Sequence, residues 1–159
     1  MSTLPQLYEE DIHRVDDALR EFLQRSDATT AMVIDKGGFL ITHQGDSNSF
    51  DLTTMAALAS GAYLANQTIA NLVNEANFDS VYQQGETHSM LVTNIDEFCL
   101  LQVIFRAQVG VGAVKYHAGP AREAIADQLQ LAQQRDPDGG LDLSVLNCAD
   151  PSEFFKRKE

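Results

Sequence analysis

A chain of 159 residues with 44% hydrophobic content can bury one sizeable core and is too short for two full domains. Its formal net charge of -12 argues against nucleic acid and anionic bilayers, which recruit clustered Lys and Arg. The start, Met1-Ser2-Thr3-Leu4-Pro5, has no basic patch followed by an apolar run, and no apolar stretch reaches the length of a membrane span, so a cytoplasmic location is expected.

Tyr8, Ile12, Val15, Leu19, Phe22 and Leu23 recur at steps of three and four, which predicts an amphipathic helix over 8–25. Glu9, Glu10 and Asp11 suit its positive end. Beyond a short connector, Ala31-Met32-Val33-Ile34 and Phe39-Leu40-Ile41-Thr42 flank a tight Asp35-Lys36-Gly37-Gly38 turn, in which both glycines tolerate positive φ. A hairpin is the expectation. Residues 43–50, with Gly45, Asp46, Ser47, Asn48 and Ser49, read as a polar loop, and Asp51 is placed to cap a second helix running to about Asn74.

That second helix carries two apolar stripes. Met55, Ala59, Ala62, Ile69 and Val73 are predicted to cover a sheet. Ala57, Leu58, Gly61, Leu64, Ala65, Thr68 and Leu72 point elsewhere and would be wet in a monomer. Two readings stand: a helix buried all round by its own chain, or a self-complementary seam about a two-fold axis on which a second protein rests.

After Asn77 the period changes. Segments 78–85, 88–95 and 98–105 read as three strands of a meander. The nearly continuous apolar run Cys99-Leu100-Leu101-Gln102-Val103-Ile104-Phe105 suits a central strand covered on both faces by helices. The more polar stretch around Val81 suits an edge, able to accept a strand from another chain. A last helix is expected over 110–134 with Ala113, Ala121, Ile125, Leu129 and Ala132 inward, starting or kinking at Gly119-Pro120. Residues 1–135 then form one domain, and 136–159 a flexible tail in which Phe154 and Phe155 are suited to dock on a partner as a short helix or hook.

Catalytic and metal chemistry find little support. Cys99 lies in an apolar strand, where a thiol acts as a small hydrophobe, and Cys148 lies in the tail. An enzyme would need His43, His88 and His117 to converge with Asp35 or Glu86, and nothing in their spacing demands it. No His pair stands at ligand spacing, and Gly110-Val111-Gly112 lacks the Gly-Lys-Ser/Thr closure of a phosphate loop. No catalytic residue, metal or cofactor is expected.

Helix, hairpin, helix, three-strand meander, helix is an element order that resembles the Roadblock/LC7 family. Residues 31–41, with their Asp-x-x-Gly turn, look like the family's opening hairpin, Asp51-Leu52-Thr53-Thr54-Met55 its central helix, and Val109-Gly110-Val111-Gly112 its segment before the last helix. Tyr8-Glu9-Glu10 and Asp150-Pro151-Ser152-Glu153-Phe154-Phe155 are similar to a bacterial branch of that family. The resemblance implies an α+β fold, a five-stranded antiparallel sheet with helices on both faces in the order α-β-β-α-β-β-β-α, assembled as a homodimer. It further implies a cytoplasmic regulator that binds a small Ras-like GTPase, one per dimer, and promotes GTP hydrolysis in cell polarity or motility.

On that reading the dimer interface comprises Ala57, Leu58, Gly61, Ala65 and Val81, while Leu64, Thr68, Leu72, Phe154 and Phe155 meet the GTPase. Activation is expected by remodelling of the GTPase. Arginines are few, and Arg106 and Arg122 read as solvated surface charges more than as arginine fingers. The alternative is a scaffold or adaptor for a GTPase or motor complex, with no effect on hydrolysis.

Overall fold

The computed structural model describes residues 4–135. Over that span the elements run α1 (Glu9–Ser26), β1 (Thr30–Asp35), β2 (Leu40–Gly45), α2 (Leu52–Leu72), β3 (Ser80–Gln83), β4 (His88–Asn94), β5 (Cys99–Arg106) and α3 (Val111–Gln134). The strands form one five-stranded antiparallel sheet in the order β2-β1-β5-β4-β3. The two most apolar strands, β1 and β5, lie side by side at its centre, where both faces are covered. β3 is an edge, as its polar sequence led us to expect.

One face is covered by α1 and α3. Val15, Leu19 and Phe22 of α1 and Val114, Ala118, Ile125 and Leu129 of α3 pack on Ala31, Val33, Leu101, Val103 and Phe105. The other face is covered by α2 alone, which lays Leu52, Ala56, Ala59 and Tyr63 on Met32, Ile34, Val92, Leu100 and Ile104. Each large apolar side chain buried in this way contributes about 1.5–3 kcal/mol, so both layers are held chiefly by the period of their sequence.

Two expectations, the extent of β2 and the inward place of Ala113, need correction. β2 runs on to Gly45, drawing His43 and Gln44 out of the expected loop into pairs with Met32 and Ala31. Polar side chains are tolerated there because β2 is an edge strand, half-buried along most of its length. In the hairpin turn only Gly38 takes positive φ. Ala113 is exposed, and Val114 and Ala118 take the inward positions of α3 instead. That helix passes through Pro120 without ending: proline withholds one N–H from the Tyr116 carbonyl, while Ala118 and Ala121 on either side are buried and hold the turn in place.

Asp11 has a role that sequence did not suggest. It is fully buried and tied to the far end of the domain, whereas its neighbours Glu9 and Glu10 are exposed in the first turn of α1.

Candidate functional site

The outer face of α2 is positioned by contacts at both ends of the helix. At the N-terminus the Thr54 N–H donates to Asp51 Oδ1 at 3.1 Å and the Thr54 hydroxyl to Oδ2 at 2.6 Å. These bonds hold the Asp51 carboxyl below its usual range. The hairpin turn then pins the first half of the helix. Asp35 Oδ1 accepts the Phe39 N–H at 2.9 Å, which shapes the turn, and the Ser60 hydroxyl donates to the Lys36 carbonyl at 2.7 Å. Gly38 packs so close to the helix that a Cβ there would stand 3.2 Å from the Ala57 Cα.

The second half is held more sparely. Tyr63 is buried against Phe78, ring centroids 5.1 Å apart, and Ala70 is the last buried residue of the helix. The helix closes with a left-handed residue, Asn74 at φ 61, while the Glu75 N–H bonds to the Ala70 carbonyl at 2.8 Å and the Asn74 N–H to the Asn71 carbonyl at 3.1 Å.

Between these anchors lies an exposed stripe. Ala57, Leu58, Gly61, Leu64, Ala65, Thr68 and Leu72 are all exposed in the single chain, Leu58 by 69%, Leu64 by 41% and Leu72 by 79%. They lie opposite Leu52, Ala56, Ala59 and Tyr63, and none of the described residues covers this side of α2. Gly61 has open space where a side chain would stand, and the Thr68 hydroxyl is turned back onto the Leu64 carbonyl at 3.0 Å. From Leu52 to Leu72 there is no charged residue, whereas α1 is laced with ion pairs such as Arg14 with Glu10 and Arg25 with Glu21.

The stripe expected to cover the sheet is misplaced in part. Ala59 is buried and Met55 half-buried, but Ala62, Ile69 and Val73 are exposed and widen the outer face. Beyond Tyr63 the one buried residue of the helix is Ala70, and Ile69 and Val73 stay largely exposed among the described residues. Phe39 at the hairpin tip, 74% exposed and next to the glycine that meets Ala57, also went unpredicted as a surface group. Its place at the tip of the predicted turn was the available signal. Val81 is half-buried on the edge strand β3, opposite Val92 of β4. Phe154, Phe155 and Cys148 lie outside the described residues.

The other candidate groups lie apart. His88 stacks edge-to-face on Phe50 at 5.6 Å and shares a shallow cleft with Glu86 and Arg106, while His117 lines a groove between α1 and α3. Arg122 is committed to the fold: its Nε donates to the Asn94 carbonyl at 2.6 Å and its guanidinium lies 3.6 Å from Asp79. Cys99 is buried, and desolvation pushes its thiol up to about 12. Among the described residues no three His, Cys, Asp or Glu side chains group as a cation site, and no helix is long and apolar enough to cross a membrane.

The sequence pattern of the Roadblock/LC7 domain matches residues 14–105. No curated protein matches the chain. Among solved structures, an MglB with tetrameric arrangement aligns at 30% identity and a TM-score of 0.76, covering 83% of this chain and 99% of that one. The gliding protein MglB from Thermus thermophilus aligns at 30% identity and a TM-score of 0.75, covering 82% and 99%. Myxococcus xanthus MglB, at 23% identity and a TM-score of 0.74, covers 82% and 99% and shares the fold.

Proposed function

The chain belongs to the Roadblock/LC7 family, and we propose that it is a homodimeric regulator of a small Ras-like GTPase of the MglA type, working in the cytoplasm at a cell pole in polarity or motility. The observation that carries this reading is the outer face of α2, exposed, largely apolar and uncharged in a chain of net charge -12. Two copies of so acidic a chain repel unless they meet where neither is charged. Antiparallel pairing of two α2 helices meets that need. Ala57, Gly61 and Ala65 let the backbones approach, Leu58 fills the seam, and the edge strand around Val81 lies where a second copy can extend the sheet.

Leu64, Thr68 and Leu72 then stand along the rim of the paired helices as a platform for the GTPase, and Phe154 and Phe155 supply a second contact. A GTPase lying across the two-fold axis blocks its own symmetry mate, which limits binding to one per dimer. No arginine stands on α2, Arg122 and Arg135 are tied to the fold by ion pairs, and Arg106 is exposed at the end of β5. On this reading the protein acts without an arginine finger: docking selects the state of the switch loops in which the GTPase's own residues complete the site. This chain supplies no catalytic group of its own.

GTP turnover by an MglA-type GTPase, measured with and without this protein, tests the proposal. Faster turnover is expected. Binding with turnover unchanged would make the chain an adaptor, and no binding in either nucleotide state would end the GTPase reading.

A further inference from the structure

The last described residue, Arg135, is bound to the first helix across 124 positions of sequence. Its guanidinium grips Asp11 with both arms, Nη1 donating to Oδ2 at 2.7 Å and Nη2 to Oδ1 at 2.5 Å, and lies 4.7 Å from the centroid of the Tyr8 ring. Gln128 Nε2 donates to Oδ1 at 2.7 Å and the Tyr8 N–H to Oδ2 at 2.8 Å, so each carboxylate oxygen receives two donors. Asp11 is fully buried. A charge removed from water is costly, and only such a complete set of donors offsets it.

Gln128 lies on α3 and Arg135 is that helix's C-cap, so the cluster joins the end of α3 to the start of α1. Ile125, Leu129 and Ala132 already bury the end of that helix, and Arg135 stands three residues further on with extended backbone, φ -60 and ψ 135. What the ion pair fixes is residue 135 itself, from which residues 136–159 depart. We propose that the Asp11–Arg135 clasp is a positioning device that roots the C-terminal segment beside the N-terminus of α1. Its bidentate geometry sets direction as well as place, which a single point charge would not. The benefit to partner binding rests on the function proposed above; the rooting of the segment does not.

Two measurements on the full chain separate these claims. With Cys148→Ser as background, nitroxide labels at Gln24→Cys on α1 and at Gly139→Cys report the distance from the domain to the start of the segment; Cys99 is buried and stays unlabelled. Adding Arg135→Gln should shift or broaden that distance distribution, and Arg135→Lys, which keeps the charge but loses the fork, should lie between. An unchanged distribution in both variants would overturn the clasp. Arg135→Lys alone decides the matter if Arg135→Gln fails to fold.

The second measurement is affinity for a GTP-loaded MglA-type GTPase. Arg135→Gln should weaken binding by about tenfold in the parent chain and by less than about twofold in a chain already carrying Phe154→Ala and Phe155→Ala. Additive losses would assign Arg135 to the fold alone and overturn its positioning role. Absence of any binding would defeat the GTPase reading, and the distance measurement would still decide the clasp.

Discussion

Single residues divide by whether their work is local or distant. The Asp35-to-Gly38 turn was legible because its chemistry is completed within five residues: Asp35 accepts the Phe39 N–H, and Gly38 takes the positive φ that a Cβ resists. Gly38→Val should cost about 1–3 kcal/mol, read as a lower denaturant midpoint, because it adds backbone strain to a Cβ 3.2 Å from the Ala57 Cα. Asp11 was not legible. Nothing near it in sequence announces partners at Gln128 and Arg135, and an acidic first turn explains Glu9 and Glu10 equally well. Arg135 beside it, followed by the Tyr8 and Gln128 hydrogen bonds, holds the Asp11 carboxyl down at about 2 against the burial that raises it. A carboxyl depressed in the folded state stabilises fully above its unfolded value near 3.8 and loses that contribution as pH falls toward 2. The stability difference between the parent chain and Asp11→Asn should therefore shrink by about 2 kcal/mol between roughly pH 5 and pH 2, measured by denaturant titration at each pH.

At the scale of elements, period and capping placed every helix and strand, and the errors fell at ends and in phase. β2 runs past the expected loop because ladder pairing with β1 outweighs the turn-forming character of its last residues. In α2 the exposed stripe was identified correctly while its partner was misphased. Small residues on all sides left the phase open, and the side chain that fixes it is Tyr63, buried on the sheet against Phe78. Truncating that anchor and charging the outer face should have opposite consequences. Tyr63→Ala is expected to lose about 3–5 kcal/mol of stability by leaving a cavity between helix and sheet. Leu64→Arg should stay within about 0.5 kcal/mol of the parent in thermal unfolding, yet abolish GTPase binding in a pull-down. Retained binding would remove α2 from the platform.

For the whole molecule, the central place of β5 and the edge place of β3 were readable from their apolar and polar runs, whereas the pairing of β1 with β5 was not. What rests on the outer face of α2 was not, because one chain's sequence records a surface without recording its occupant. The structure supplies the inequality of the two faces: two helices cover one, while the outer side of the single helix on the other is covered by none of the described residues. Sedimentation of the 17.5 kDa chain at micromolar concentration, alone, as Gly61→Arg and with the GTPase, tests this most directly. A Cβ added at Gly61 meets nothing within 4 Å among the described residues, so the substitution should leave the protomer folded and split the pair. A parent dimer that takes up one GTPase, and a folded Gly61→Arg monomer that takes up none, are the expected species; a parent chain that sediments as a monomer, or a complex of two GTPases per dimer, would contradict the proposed assembly.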